Sequence, residues 1–159
     1  MRPEGGWTSL FFSELTMTQN LIYRDLIHRD LLSDEQRIEM PAKLFGASAF
    51  AFKVEPAIFD MAGMLSTDYR GGYWDFYHLS NGGWYMSPSS ETIYTISSMN
   101  GFTGKVSGDA LGITACLFAF SHLSFGRDAA AEVCAEHYHL LRDFAMDHPE
   151  AMAIMAATD

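Results

Sequence analysis

The chain has few of the residues that disulfide-stabilised, nucleic-acid-binding or membrane-spanning proteins need. Two cysteines in 159 residues cannot build a disulfide framework and favour a reducing compartment. Only 10 residues are Lys or Arg, and the net charge of −10 argues against binding to a nucleic-acid backbone. The most apolar stretch, 110–126, is shorter than the roughly 20 residues of a membrane span, and no signal peptide precedes it. We therefore expect a soluble cytoplasmic protein with a buried helix over 110–126.

Motifs for catalysis, cofactors and metals are also absent. The sequence has no phosphate-binding glycine loop with Lys-Ser/Thr, no G-x-S-x-G and no H-E-x-x-H. His137 and His139 would point about 200° apart on a helix, so they cannot hold one metal ion together. Cys116 and Cys134 lack C-x-x-C spacing and are expected to be buried free thiols. We predict no catalytic residue, no metal site and no cofactor.

The apolar content is high enough for a folded core. Hydrophobic residues make up 48% of the chain and aromatic residues 14%, which excludes a disordered protein. The length suits one domain, which we place at 34–159. Residues 1–33 are predicted to be an N-terminal extension or a helix, with Thr18 as its cap and Leu32 near its end.

Residues 71–106 carry the strand signals. Asn81-Gly82 is typical of a two-residue hairpin turn, which would place Leu79 opposite Trp84 and Tyr77 opposite Met86. Asn100-Gly101 predicts a second hairpin, joining 92–99 to 102–106. Both faces of the first hairpin are apolar or aromatic, so either both are covered or one is a partner surface. The predicted fold class is α+β, with a small antiparallel sheet of three to four strands over about 71–106 packed with several helices.

Helices are predicted on both sides of this strand region. Pro41 and Pro56 favour the first positions of helices between 34 and 65. Ser107 and Asp128 are suited to cap helices over 107–125 and 128–147. Pro149 is suited to begin a short final helix.

The helix predicted over 128–147 divides into an apolar side and an acidic side. At 100° per residue, five carboxylates fall within an arc of about 100°. This acidic face consists of Asp128, Glu132, Glu136, Asp143 and Asp147. Arg142 is the only basic residue in 128–159. The face is either a solvated surface or a contact for a basic partner, and Asp68 and Asp75 are further candidates for partner contacts.

The net negative charge of this chain is too small for full mimicry of DNA. Duplex DNA carries one negative charge per roughly 1.7 Å of its axis. A globule of this size is about 40 Å across, a length over which duplex presents about two dozen phosphates. A net charge of −10 spread over a whole surface copies this poorly. A local acidic contact remains compatible with the sequence, and direct binding to nucleic acid is not expected.

Several segments, in order along the chain, resemble the KlcA/ArdB antirestriction family. The central signature is LSTDYRGGYWDFY at 65–77 followed by LSNGGWYMSP at 79–88. Further matching segments are PAKLFG at 41–46, NGFTG at 100–104, GITA at 112–115, YHLLRDFA at 138–145 and HPEA at 148–151. The resemblance covers about 34–159, and Pro56 stands where that family leads us to expect an uninterrupted helix.

The resemblance implies a compact α+β protein of plasmids and other mobile elements. Such a protein protects incoming DNA from host type I restriction enzymes without catalysis of its own. Its expected partner is the host type I restriction enzyme or an associated protein. The alternatives are a regulatory or adaptor protein of a mobile element that binds another host protein, or an enzyme that uses Asp68, Asp75 or His78.

Overall fold

The computed structural model describes residues 26–159 and has the predicted α+β fold. The strands are β1 (Arg29–Leu31), β2 (Trp74–Leu79), β3 (Trp84–Pro88), β4 (Tyr94–Ser97) and β5 (Thr103–Val106). The helices are α1 (Asp34–Phe45), α2 (Ala47–Ala49), α3 (Glu55–Leu65), α4 (Gly108–Ser124), α5 (Ala129–Ala145) and α6 (Ala151–Thr158), and a π-helical segment, Phe50–Val54, joins α2 to α3. The strands form two antiparallel sheets, one in the order β1-β2-β3 and one of β4 and β5.

Short polar side chains begin three of the helices. Ser33 and Gln36 form a reciprocal capping box at the start of α1. Ser107 Oγ accepts from the backbone N–H of Ala110 at 3.2 Å, and Asp128 Oδ1 accepts from that of Ala131 at 3.1 Å. The caps predicted for α4 and α5 are therefore confirmed.

Two of the three proline predictions need correction. Pro56 lies in the first turn of α3, as predicted. Pro41 is wrong as a helix start, since it lies inside α1, where its ring is buried against the core. Pro149 does not begin the last helix, which starts two residues later at Ala151. Pro41 has no backbone N–H, so α1 lacks one helical hydrogen bond at this position.

The register of the β2–β3 hairpin differs by one residue from the prediction. Trp84 lies opposite His78 and Met86 lies opposite Phe76. The connection is a three-residue loop rather than a two-residue turn, since Leu79 N–H bonds to the Gly83 carbonyl at 2.8 Å. This loop ends on a glycine with φ of 93°, Gly82, as three-residue hairpins commonly do.

The changed register moves two large side chains to the other face of the sheet. Trp84 and Met86 share a face with Trp74 and Phe76, because side chains of a strand alternate between faces. Tyr85 points to the opposite face, and it is as fully buried as Trp84. Both faces of the hairpin are therefore covered, which resolves the alternative that the sequence left open.

Both hairpin loops are tied to helices by an asparagine. Asn81 Nδ2 donates to the Leu140 carbonyl in α5 at 2.9 Å, and Asn100 Nδ2 donates to the Ala156 carbonyl in α6 at 2.8 Å. In each loop the Oδ1 atom of the same asparagine accepts the backbone N–H two residues later, at 3.0 Å. These asparagines therefore shape the turn and fix its position on the helical layer.

The chain before residue 34 contributes a strand. The first part of the helix predicted over 18–32, residues 18–25, lies outside the described residues. Over Arg29–Leu31 the prediction is wrong, because this segment is strand β1. Arg29 pairs with Leu79 and Leu31 with Tyr77. All three residues are exposed, so burial of side chains does not hold this segment in place. Its strand conformation depends on pairing with β2. The domain boundary at 33/34 stays a prediction.

Helix α4 lies at the centre of the fold and is buried over most of its length. It packs against α3, α5, α6 and β3. A Cβ at Gly112 would overlap the Met86 carbonyl oxygen and the Ser87 side chain, so the missing side chain lets the helix approach the strand. Cys116 lies one turn further along and donates its S–H to the same carbonyl at 3.6 Å. Within 26–159, no helix has both the length and the apolar character needed to cross a bilayer.

Gly112→Ala should destabilise the protein by about 1–3 kcal/mol, because the added methyl group is forced against the backbone of β3. The matched control is Gly63→Ala in α3, where a Cβ would meet nothing within 4 Å. This control should stabilise the protein by about 0.5–1 kcal/mol through helix propensity. Urea unfolding followed by circular dichroism measures both, and equal stabilities of the two variants would contradict the close approach.

Candidate functional site

The acidic face follows the exposed side of α5, with Asp128 as its N-cap. The helix ends at Ala145 rather than at the predicted 147, so Asp147 lies two residues beyond it. Its five members are all exposed. The buried residues of the helix are Ala130, Ala131, Cys134, His137, Leu141 and Ala145. The helix thus has the predicted division into an apolar side and a charged side.

The first carboxylate of this face is already paired. Asp128 caps α5 and forms an ion pair with Lys53, a residue of the π-helical segment. Glu132, Glu136 and Asp143 form no ion pair within the described part of the chain, and neither does Asp147. Three unneutralised negative charges therefore stand on α5, and a fourth, Asp147, lies just beyond its C-terminal end.

Asp68 and Asp75 lie elsewhere. Asp68 is exposed, and its Oδ2 accepts the backbone N–H of Thr95 at 2.9 Å, which ties the loop after α3 to β4. Asp75 is half-buried on β2 and lines a cleft of about 340 Å³ with Arg29 and Asp109. Asp147 lines a second cleft, of about 400 Å³, that also borders Arg29 and Asp109. The sequence-predicted candidates thus fall in three places rather than one.

A polar cluster that the sequence analysis missed lies between these two clefts. It is centred on Asp109 in the first turn of α4. Arg29 Nη1 donates to Asp109 Oδ1 at 2.6 Å, Tyr85 O–H donates to the same oxygen at 2.9 Å, and His148 Nε2 lies 2.7 Å from Oδ2. Arg29 also donates to Tyr85 and lies over the ring of Tyr77, 4.5 Å from its centroid. One carboxylate therefore joins β1, β3, α4 and the segment after α5.

His148 is held by both of its ring nitrogens. Nδ1 accepts the backbone N–H of Glu150 at 2.9 Å, so Nε2 carries the hydrogen that is donated to Asp109. The Glu150 carboxylate in turn accepts the backbone N–H of Ser107 at 2.8 Å and also the Ser107 hydroxyl. With both nitrogens engaged, the ring has no lone pair left to remove a proton from a substrate.

The charge state of the cluster follows from these contacts. Burial by itself would raise the pKa of Asp109, but the hydrogen bond from His148 and the charge of Arg29 outweigh it. The pKa of Asp109 is therefore held below its ordinary value of 3.8. Burial raises the pKa of Tyr85 well above its ordinary value, and the charge of Asp109 raises it further. Tyr85 thus remains a hydrogen-bond donor to a carboxylate.

The cysteines and the remaining histidines do not form a second site. Cys116 and Cys134 are buried free thiols, as predicted, and burial raises their pKa values to about 12 and about 11. His137 is buried and His139 is exposed, on different sides of α5. The buried Nδ1 atom of His137 has no hydrogen-bond partner within the described structure. Among the described residues, no three His, Cys, Asp or Glu side chains converge as metal ligands.

Only weak signals in the sequence point to the Asp109 cluster. Asp109 lies two residues after the predicted cap Ser107, where an acidic side chain favours a helix N-terminus. The HPEA segment at 148–151 is noticeable only through the family resemblance. Arg29 lies 80 residues before Asp109 and His148 lies 39 after it. No local pattern relates residues so far apart, so the cluster is visible only in the tertiary structure.

Comparisons with known proteins agree on one family. The model of the family described as antirestriction protein matches residues 67–159. An antirestriction protein KlcA of Escherichia coli is 39% identical over 132 residues, which is 80% of this chain and 90% of that protein. YafX of Escherichia coli strain K12, an uncharacterised protein, is 41% identical over 129 residues, which is 79% of this chain and 84% of YafX.

A solved structure from work on the KlcA and ArdB proteins matches the fold. It has a TM-score of 0.77 and 37% sequence identity, and the match covers 84% of this chain and 95% of that one. That work describes a novel fold and antirestriction activity against type I DNA restriction systems in vivo but not in vitro.

Asp109→Asn should lower the free energy of unfolding at neutral pH by about 1.5–3 kcal/mol, because hydrogen bonds to a charged group are lost. The folded-state pKa of Asp109 is depressed, so its stabilisation is present above the ordinary carboxyl pKa and is lost as the pH falls through the folded-state value. The stability difference between the wild-type protein and this variant should therefore shrink once the pH falls below about 3.8.

The control for this measurement is Asp143→Asn, an exposed carboxylate without an ion pair, which should change stability by no more than about 0.5 kcal/mol. Urea unfolding at a series of pH values gives both differences. A stability difference for Asp109→Asn that stays constant down to low pH would contradict the proposed charge state.

Proposed function

The chain belongs to the KlcA/ArdB antirestriction family, and we propose that it protects incoming DNA from a host type I restriction enzyme. The single observation that carries this proposal is the structural match to KlcA/ArdB, which extends over nearly all of that protein. We propose further that the protein is encoded on a mobile element and acts in the cytoplasm, where entering DNA meets the restriction enzyme.

We propose that protection does not involve catalysis by this chain. Both ring nitrogens of His148, the histidine nearest to Asp109, are engaged in hydrogen bonds within the fold. The two thiols are buried, and their raised pKa values keep them protonated at neutral pH. These contacts support a structural role for the polar groups that would otherwise be candidates for a nucleophile or a base.

The partner in this proposal is a protein rather than DNA. The chain has a net charge of −10, and the unneutralised carboxylates of the acidic face would repel a phosphate backbone. The solved relative is described as active in vivo but not in vitro. We therefore propose as the partner either the host type I enzyme in its cellular state or a host protein associated with it.

Expression of this chain should raise the plating efficiency of unmodified phage on a host with a type I restriction system. On an isogenic host without that system, the plating efficiency should not change. Equal numbers of plaques on the restricting host with and without the protein would contradict the proposed function. A change that also occurs on the non-restricting host would instead favour a regulatory or adaptor protein that binds another host protein.

The triple variant Glu132→Lys, Glu136→Lys and Asp143→Lys should stay folded and lose protection. Each reversal changes the local charge by two units, and like charges would then face a basic partner. Glu132 lies in the first turn of α5, so its reversal costs about 0.3–1 kcal/mol through the helix dipole. The other two exposed substitutions shift stability by no more than about 0.5 kcal/mol each, so circular dichroism should show a folded protein.

The matched control reverses three exposed acids on other helices, Glu35→Lys, Glu39→Lys and Asp60→Lys, and has the same net charge as the first variant. It should retain protection if the position of the charges matters rather than their sum. Full protection by the folded acidic-face variant would mean that this face is only a solvated surface.

A further inference from the structure

An apolar cleft adjoins the acidic face at the N-terminal end of α5. It lies between the end of α4, the loop to α5 and the π-helical segment, and it has a volume of about 410 Å³. Its lining includes Leu123, Phe125 and Ala130, with the Lys53–Asp128 ion pair at its wall. This volume is at the lower end of the range for ligand pockets, so the cleft has room for one or two large side chains.

The ring of Phe125 stands beside this cleft almost free of the protein. It is 84% exposed, while the backbone N–H of the same residue ends α4 by bonding to the His122 carbonyl. The capping contact uses only the backbone, so nothing in the fold requires an aromatic side chain here. Aromatic residues are enriched at protein interfaces, so this exposed ring beside an apolar cleft is a candidate contact for a partner.

The sequence feature that builds the opposite wall is Pro56. A proline has no backbone N–H, so it cannot donate to the Phe52 carbonyl as an α-helix requires. The helix widens into the π-helical segment just before it, and the Glu55 N–H bonds to the Phe50 carbonyl, five residues back. Lys53 projects from this segment to Asp128.

The Lys53–Asp128 ion pair makes one end of the acidic face different from the other. Lys53 neutralises the first carboxylate of the acidic face, so this ion pair adds no net charge to the wall of the cleft. The free carboxylates of Glu132, Glu136 and Asp143 follow at about 6, 12 and 22 Å from Asp128 along the helix axis, and Asp147 lies just beyond the end of α5. An apolar pocket with charged side chains at its edge matches the arrangement of protein interfaces, with an apolar centre and a polar rim.

We propose that this cleft binds one large apolar or aromatic side chain of a basic protein segment, whose Lys or Arg side chains meet Glu132 and Glu136. Charge complementarity selects this occupant, because a nucleic acid would be repelled and an uncharged small molecule would leave the carboxylates unused. The proposal rests on the proposed function and adds the chemistry of the partner. Phe125 and the acidic face are then two parts of one interface.

Phe125→Ala tests the cleft in the phage assay. The expected result is at least a tenfold loss of protection with unchanged circular dichroism and unchanged protein level by immunoblot. The matched control is Met152→Ala on α6, where the side chain is 89% exposed and lies away from this cleft. It should protect as the wild-type protein does.

The outcomes of this assay separate the two proposals. No protection by the wild-type protein overturns the proposed function itself. Full protection by Phe125→Ala, with a protective wild type, overturns only the role of the cleft. An equal loss of protection in Phe125→Ala and Met152→Ala also overturns it, because the effect would then follow from any loss of exposed apolar surface.

A binding measurement with defined probes tests the chemistry directly. The probes are dye-labelled peptides with six lysines and either one tryptophan or one alanine, titrated with the purified protein by fluorescence anisotropy. The tryptophan peptide should bind at least fivefold more tightly, and Phe125→Ala should remove this advantage. Equal affinity for the two peptides overturns the apolar part of the proposal, and equal affinity for a tryptophan peptide with six glutamates overturns the basic part.

Discussion

The close contact between α4 and β3 is the constraint on which the rest of the structure depends. Gly112 has no side chain, so the helix lies directly against the backbone of Met86 and Ser87. Helices α3, α5 and α6 pack around α4 in this position, and most residues of α4 are buried. Any side chain at Gly112 would separate helix from strand and loosen every layer that rests on α4, because packed interiors do not absorb even one methyl group freely.

The polar groups of the protein serve two distinct purposes. Around Asp109, charges and donors are matched so closely that Arg29, Tyr85 and His148 are all used within the fold. This cluster fixes the first turn of α4 against β1 and β3, and it holds the chain beyond α5. On α5, by contrast, the carboxylates of Glu132, Glu136 and Asp143 are exposed and form no ion pair within the described chain. Matched charges favour a structural role, whereas the unmatched ones on α5 are open to solvent or to a basic partner.

The two halves of the proposed interface have different origins. The acidic face follows from helical spacing alone and needs only that α5 form and present one side to solvent. The adjoining cleft needs three separated parts of the chain, namely the end of α4, the loop before α5 and the segment that Pro56 converts into a π-helix. Their meeting point, the Lys53–Asp128 ion pair, spans 75 residues.

The sequence alone determined the features that depend on neighbours along the chain. Helix caps at Ser107 and Asp128, the two-sided character of α5, the positions of both hairpin loops and the burial of the thiols all follow from local spacing and composition, and all are present in the structure. The family resemblance likewise came from ordered local motifs. Tertiary structure alone decided the hairpin register, the strand at Arg29–Leu31, the Asp109 cluster and the cleft at Phe125. A register shift of one residue costs little locally, and an ion pair across 80 residues has no periodicity. Such features are selected only when the whole core closes, because only then do burial and hydrogen bonding distinguish between the alternatives.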